Sequence, residues 1–383
     1  MATTTDAFVW GATPQGIFAA IVLARAGKTV IIATDAPQVG GMLTGGLGIT
    51  DAVATRNWWG PVKEFTDILS SRTGYTNDRL RWCFAPSDAV VAFNQLLSVE
   101  PNITIKLSEQ LVGVERNQAI RVLGQLEGKI AGRGAKIRSV TTTGDTYTAN
   151  VFIDASYGAD LLANAGVPHR LGREGVTYRN EVRAGVHREY QTDKAIHSVD
   201  ADGDLHKYSQ YAPHQPTGAA DRKTMGTGFR HCVTNVAGNM LPWAPPPGYN
   251  PADFAADIAL AQQLTPTYLH QDLGWFLRRT SYDAARAEAF IPGWAGMTQT
   301  QRETAWLTFT DASAIALAPD KFATNGSDII GPLAWEYTLA NGQRREQIRQ
   351  HLAYREAGRW YTFATHPDVP VATRASYAQI GFC

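Results

Sequence analysis

Two short runs of uninterrupted apolar residues, Ala7–Trp10 and Val30–Ala33, flank a segment where apolar residues recur at Ile17, Ala20, Ile21 and Ala24. Unbroken runs of this length suit strands buried on both faces, and the spacing of three and four between them suits one face of a helix. The pattern predicts a strand over Ala7–Trp10, a helix from Pro14 and a second strand over Thr29–Ala33. The junction residues agree. Gly11 lets the chain turn at the strand end without the steric penalty that a side chain brings at positive φ. Thr13 is placed to cap the helix and Pro14 to be its first residue, where a missing N–H is harmless. Gly16 lets the helix lie close on the strands, and Gly27 is positioned to end it.

Further along, an amphipathic helix is expected from Pro61, with Val62, Phe65, Ile68 and Leu69 inward. Another opens at Pro86 and Ser87, with Val90, Val91, Phe93, Leu96 and Leu97 apolar, followed by a strand over Ile103–Leu107. From Leu111 to Asn150 the pattern changes to alternation broken by glycine turns, with strands over Leu111–Glu115, Ile120–Gln125, Ile137–Thr143 and Thr146–Ala149, a small inserted β-meander. Val151-Phe152-Ile153 returns as a fully buried strand, and Asp154-Ala155-Ser156-Tyr157-Gly158-Ala159-Asp160 leads into a helix over Leu161–Ala165. The expected fold is α/β: a Rossmann-like nucleotide-binding domain over 1–171 with the meander at 111–150. Periodicity weakens from Gly172, so residues 172–383 are expected to form a mixed α+β substrate domain, helical toward its carboxyl end. Its helices are placed at Pro251–Leu264, Ser281–Ala289, Thr298–Thr304 and Leu333–Tyr354, after a rigid proline-rich loop from Trp243 to Pro251.

The strand–glycine turn–helix–strand order points to a dinucleotide, whose pyrophosphate suits the free amides opening the first helix. Thr13 stands where the usual fingerprint has its middle glycine. Thr34 stands where a ribose-binding acid is expected, with Asp35 one residue later, either a ribose contact or a plain turn residue. A second cluster, Gly40-Gly41-Met42-Leu43-Thr44-Gly45-Gly46-Leu47-Gly48, packs five glycines into nine residues and is followed by Asp51. With Met42, Leu43 and Leu47 apolar, it does not read as a linker. Backbone laid bare against a broad, flat ligand explains it better, and favours a flavin over a nicotinamide.

Acidic and basic residues balance at 35 each, so no global field steers the chain toward nucleic acid or an anionic membrane. Three widely spaced cysteines, Cys83, Cys232 and Cys383, suggest a reducing compartment and no disulfide framework. No basic, apolar leader opens the sequence, and the most apolar run, Ile17–Ala26, is far too short to cross a bilayer. A soluble, cytoplasmic protein is expected. Metal binding is not, since the histidines lack ligand spacing and no Cys-x-x-Cys occurs. Nucleophile-elbow and phosphate-loop motifs are also missing. Trp58 and Trp59 either line a ligand or close a core edge. Arg344, Arg345 and Arg349 are a solvated helix face.

For substrate chemistry the candidates fall in the expected substrate domain: His187, His197, His206, His214 and His231, with Arg173, Tyr178, Arg230 and Asp328. His231 is favoured because it follows Gly228-Phe229-Arg230 and precedes an apolar stretch. Arg173 follows the second glycine junction and suits a cofactor or substrate anion, or else a structural salt bridge with Glu174 or another acid. His231, Arg173 and Asp328 are therefore the catalytic candidates.

Taken together, Gly11–Gly16, the 40–48 glycine block with Asp51, Phe152–Tyr157, Ala165–Pro168 with Gly172–Glu174, Pro246–Pro251, Asn325-Gly326 with Asp328 and Gly331, and Trp360–Pro370 resemble FAD-dependent oxidoreductases of the glutathione-reductase-like superfamily, in the branch with a large inserted substrate domain. The likeness spans nearly the whole sequence. It implies FAD along the first βαβ unit, held by Gly11, Thr13, Pro14, Gly16 and Asp35. The flavin is then expected near Gly40, Gly41, Met42, Thr44, Gly45, Gly46, Leu47 and Gly48, the adenine by Val112, and further contact at Ala155, Ser156, Tyr157 and Gly158. Two departures stand out. Gly158-Ala159-Asp160 replaces the family's Glu-Gly-Asp, and the segment that re-enters the nucleotide domain to cover the flavin has no counterpart after residue 330. A second polypeptide or a second copy is expected to complete the site. The implied activity is hydride transfer from a C–N or C–O bond of a small polar substrate to the flavin. The alternatives are a flavin-dependent lyase or nucleobase-modifying enzyme, and a non-catalytic nucleotide-binding subunit of a split flavoprotein.

Overall fold

A computed structural model describes residues 2–47, 58–73, 84–117, 136–178, 180–182, 184–185, 218–221, 224, 228–263, 293–298, 301–302, 316–318, 321–323 and 332–383. The chain divides into two compact units, Met1–Arg170 and Leu171–Cys383.

In the first unit β1 (Thr3–Trp10) leads through α1 (Pro14–Arg25) to β2 (Val30–Ala33), and then through α2 (Gly60–Thr73) and α3 (Pro86–Ser98) to β3 (Ile103–Lys106). There follow β4 (Leu111–Arg116), β5 (Ile137–Thr142), β6 (Thr146–Asp154) and the short α4 (Asp160–Asn164). One six-stranded mixed sheet results, in the order β3-β2-β1-β6-β5-β4. Its first four strands are parallel, with Ala7 opposite both Val30 and Val151, while β5 and β4 run antiparallel. The unbroken apolar runs now have their explanation. Ala7, Val9, Val30 and Ile32 face a cluster with Ile17, Ile21, Phe65, Phe84 and Phe93, while Phe8, Trp10, Ile31 and Ala33 face Val140, Tyr147 and Leu161 on the other side. Helix α1 buries Ile17, Ala20, Ile21 and Ala24 as its spacing requires. It ends as a Schellman motif, with Gly27 at φ +77°, Lys28 N bonded to Leu23 O at 3.1 Å and Gly27 N to Ala24 O at 2.9 Å.

The strands expected in the meander pair as consecutive antiparallel neighbours, β4 with β5 and β5 with β6, but they are continuous with the main sheet. Thr146–Asp154 is one strand, paired with β1 from Thr3↔Tyr147 to Trp10↔Asp154, and β5 and β4 extend that same sheet. Asn150 interrupts the apolar pattern without interrupting the strand, because a ladder is made of backbone groups. The strand expected at 120–125 lies outside the described residues.

In the second unit β7 (Cys232–Thr234), β8 (Ala316–Ala318), β9 (Lys321–Ala323) and β10 (Gly381–Phe382) form a sheet in the order β10-β7-β9-β8. These strands of two or three residues are too short to print an alternation on the sequence, and none was expected. Helices α5 (Ala255–Gln263), α6 (Pro332–Leu339), α7 (Gly342–Thr365) and α8 (Val371–Ala378) complete it. The single helix expected over Leu333–Tyr354 is two. Asn341 breaks it, and its side chain caps α7 by accepting from Arg344 N at 2.9 Å. Of the other expected helices, 281–289 lies outside the described residues and 298–304 lies largely outside them. Trp243, Leu260, Trp360, Phe363 and Tyr377 form the core, with the two tryptophans stacked at 4.6 Å. Cys232 and Cys383 are joined by a disulfide, their Cα atoms 5.6 Å apart. Count and spacing missed this pair because the β7–β10 ladder, unseen in the sequence, is what brings them together.

Gly358 in α7 faces the buried ring of Phe254, and a Cβ there would lie 2.6 Å from Cε1 and 2.7 Å from Cε2. Helix propensity favours alanine over glycine by about 1 kcal/mol. Overpacking a rigid aromatic costs about 1–3 kcal/mol, and Phe254 cannot retreat, being stacked on Tyr249 and covered by Arg355. Gly358→Ala is expected to lower stability in urea titrations, against its helix propensity.

Among the described residues no helix is long and apolar enough to cross a membrane, and no group of His, Cys, Asp and Glu is placed to hold a metal.

Candidate functional site

Three turns meet at the carboxyl ends of β1, β2 and β6, the edge at which open parallel sheets bind ligands. The first follows β1. Gly11 donates to Ala33 O at 2.7 Å and has φ +107°. A Cβ on it would stand 2.8 Å from Ala155 C and Ser156 N. Thr13 caps α1, accepting from Gly16 N at 3.3 Å, and donates its own hydroxyl to Ala155 O at 2.7 Å. The residue that replaces the fingerprint's middle glycine thus ties the first turn to the third. A Cβ on Gly16 would run into Gly11 O and come within 3.2 Å of Val9 Cγ1. Among the described residues, the amides of Ala12, Thr13 and Gln15 donate to no acceptor. Pro14 has none to donate.

The second turn follows β2. Thr34 is buried and accepts from Ala36 N at 3.3 Å, which leaves Asp35 exposed just past the strand. Gly40 N donates to Ala12 O at 2.7 Å, so residues 40–47 do lie at the mouth of β1. Thr44 is buried and donates to Val39 O at 2.7 Å. The reason for the glycines differs from the expected one at two positions. Gly40 has φ +98° and its Cβ would strike Phe93 at 2.8 Å; Gly41 has φ +53° and its Cβ would overlap the Tyr157 hydroxyl. The protein itself occupies the space that a flat ligand was expected to fill there. Gly46, at φ +119°, serves the turn. Met42, 54% exposed, is the apolar side chain offered outward. Gly48, like Asp51, lies outside the described residues.

The third turn follows β6. Asp154, which was not among the candidate site residues, organises it: Oδ1 accepts from Ser156 N at 2.9 Å and Ser156 Oγ at 2.7 Å, and Oδ2 accepts from Leu162 N at 2.8 Å. The available signal was an acid closing an apolar strand just ahead of a serine. Ala155 N donates to Trp10 O at 2.8 Å, and Tyr157 OH accepts from Met42 N at 2.9 Å. Burial raises the Tyr157 pKa, and the Met42 amide offsets part of that. Gly158 is exposed, while Ala159 takes the left-handed conformation (φ 53°, ψ 41°). The structure therefore brings together Gly11, Thr13, Gly16, Gly40, Gly41, Met42, Ala155, Ser156 and Tyr157. Val112 stands apart on β4, 62% exposed.

The catalytic candidates belong to the second unit. Arg173 forks onto Asp221, with Nε 3.0 Å from Oδ1 and Nη2 on Oδ2, so Asp221 is an acid it pairs with. His231 Nε2 lies 3.3 Å from Glu356 Oε1, which also accepts from Trp360 Nε1 at 2.8 Å. Its ring meets Phe382 edge-on at 5.3 Å. Asp328 and the histidines from 187 to 214 lie outside the described residues.

Several solved flavoproteins and reductases are distantly similar. The bacillithiol disulfide reductase of Staphylococcus aureus is 16% identical over 42% of this chain and 43% of its own, at a TM-score of 0.27. The thioredoxin reductase of T. acidophilum is 18% identical over 40% of this chain and 35% of its own, at 0.24. P. aeruginosa PqsL, in complex with 2-aminobenzoylacetate, is 12% identical over 45% of this chain and 48% of its own, at 0.29. The chain spans less than half of each, and likenesses this slight do not inform the chemistry. No curated protein matches the sequence. The profile described as FAD dependent oxidoreductase, in contrast, matches residues 6–369, nearly the full length, and the chain belongs to that family, with FAD as its cofactor.

Proposed function

We propose that FAD lies across the three joined turns and that the enzyme oxidises a C–N or C–O bond of a small polar substrate. The supporting observation is the convergence of Ala12, Thr13 and Gln15, whose amides are left over, with two further turns hydrogen-bonded to the first. A pyrophosphate suits those amides at the start of a twelve-residue helix, where dipole and free donors favour an anion. Pro14 fixes the first helical residue. Asp35, exposed at the end of β2, is the ribose acceptor, and Val112 lies on the adenine side. Gly45, Gly46, Leu47 and the outward Met42 line the flavin, with Ala155, Ser156 and Gly158 on the opposite wall. Thr44 acts through its buried bonds, which hold the turn. When bound, FAD supplies the hydride acceptor; the protein binds and orients it and keeps water from it. His231 beside Glu356 is the proposed proton acceptor. Arg173, already forked onto Asp221, holds backbone near that pair and is proposed for structure, not catalysis.

The test is native mass spectrometry and visible absorbance of the purified full chain, followed by anaerobic addition of amines, amino acids and hydroxy acids. One FAD per chain and a yellow solution bleached by a member of that panel is the expected result. A colourless protein that gains no mass with added FAD would overturn the cofactor site. Bound flavin that no member bleaches would overturn the bond assignment alone. The same mass reports any accompanying polypeptide.

A further inference from the structure

The turn after β2 closes mostly on itself. Leu43 N bonds Gly40 O, Thr44 N bonds Gly41 O, and Gly45 N bonds Met42 O, each at 3.2 Å. Met42 N breaks that series, because it donates across 115 residues of sequence to Tyr157 OH at 2.9 Å. The ring of Tyr157 also covers Gly41 so closely that a Cβ there would overlap the hydroxyl and stand 3.1 Å from Cε2. One side chain therefore does two things to one turn: it accepts the amide of Met42 and fills the volume that Gly41 leaves. Its other face stays open, 52% exposed.

We propose that Tyr157 is a positioning residue, a strut that fixes the 41–46 turn at a set distance from the turn after β6, so that the flavin's wall is formed before the cofactor arrives. This deepens the cofactor placement proposed above and rests on it. Because the hydroxyl accepts the Met42 amide, the role proposed for Tyr157 is exerted through the turn and does not depend on the hydroxyl's own hydrogen meeting the ligand. A preformed wall raises affinity because the ligand does not have to order it.

Tyr157→Phe keeps the ring over Gly41 and removes the hydroxyl that accepts the Met42 amide. Hydrogen exchange on the FAD-free full chain should show the Met42 amide exchanging about tenfold faster, as expected for one lost hydrogen bond of ordinary strength. Amides in β1 and α1 should be unchanged. FAD titration should show affinity weakened about tenfold, with an altered visible circular dichroism of the bound flavin that a mere loss of stability would not produce. Gly41→Ala, which displaces the ring, should give the same pair of changes. Unchanged exchange at Met42, or changed exchange with equal FAD affinity and the same flavin spectrum, overturns the strut. If the unsubstituted protein takes up no FAD at all, the cofactor placement fails first and the strut's role fails with it.

Discussion

Gly11→Ala is expected to give a chain that melts at lower temperature and binds FAD at least a hundredfold more weakly, by about 3 kcal/mol or more of binding free energy. Two separate effects add at this residue. Its φ of +107° lies where a side chain is rarely tolerated, a cost of about 1–3 kcal/mol. Its Cβ would also stand 2.8 Å from two backbone atoms of Ala155 and Ser156, which cannot swing aside as a side-chain tip can. Relief requires the ends of β1 and β6 to part. That breaks the bond from Ala155 N to Trp10 O and pulls Ala155 O from the Thr13 hydroxyl, 2.8 and 2.7 Å in the intact protein. The N-terminus of α1 then no longer faces the other two turns. Gly27→Ala is the control: it shares a positive φ of +77° but has nothing within 4 Å of the added Cβ. It should lose about 1 kcal/mol of stability and bind FAD normally. Equal FAD affinity in Gly11→Ala and the unsubstituted chain would remove the packed turn from the account of binding.

The first βαβ unit was legible because everything that makes it is local. Apolar runs announce strands covered on both faces, a spacing of three and four announces α1, and Thr13, Pro14 and Gly27 mark its ends within a turn of where they act. Periodicity tells which side of an element is buried, but it does not tell what lies opposite. The hydroxyl of Thr13 could be assigned to its own helix, yet its second partner, Ala155 O, sits 142 residues away. The same holds for Met42 and Tyr157, and for Cys232 and Cys383. Gly40 and Gly41 were legible as glycines that had to be glycine; what fills the space beside them, Phe93 and Tyr157, belongs to the tertiary structure. The β7–β10 pairing escaped for a different reason, since two-residue registers leave no period to detect. Arg173 showed only that it needed an acid. Asp221 supplies it through an isolated bridge between distant segments.

Asp257→Asn is expected to destabilise the second unit by about 3–5 kcal/mol, the range for removing one partner of a buried ion pair. Asp257 is 1% exposed and lies between two buried arginines, with Oδ2 3.0 Å from Arg355 Nη2 and Oδ1 2.8 Å from Arg359 Nε. Positions 355 and 359 share one face of α7, being four residues apart, so a single carboxylate on α5 pins one helix to the other. Arg355 also donates to Asp253 O, while among the described residues Arg359 has Glu356 in reserve, at 3.7 Å. Burial lowers the Arg359 pKa, and Asp257 first, then Glu356, more than offset it, so that the guanidinium ends above its ordinary value. Asparagine keeps the shape and one acceptor oxygen and removes the charge that is the largest single part of that offsetting. Among the described residues, Glu356 is then the carboxylate left beside the buried Arg359 guanidinium. Screening is weak at buried pairs, so the loss should be much the same in 0.1 and 0.5 M salt. Replacing the four together, Asp257→Leu with Arg355→Met, Arg359→Met and Glu356→Gln, which still offers an oxygen to Trp360 Nε1, should recover most of the stability, because the penalty comes from uncompensated charge and not from lost attraction. Urea titration of the three proteins decides it. A loss below about 1 kcal/mol in Asp257→Asn, the level of an exposed pair, would mean that water reaches the cluster and that α5 and α7 are held by their apolar contacts alone.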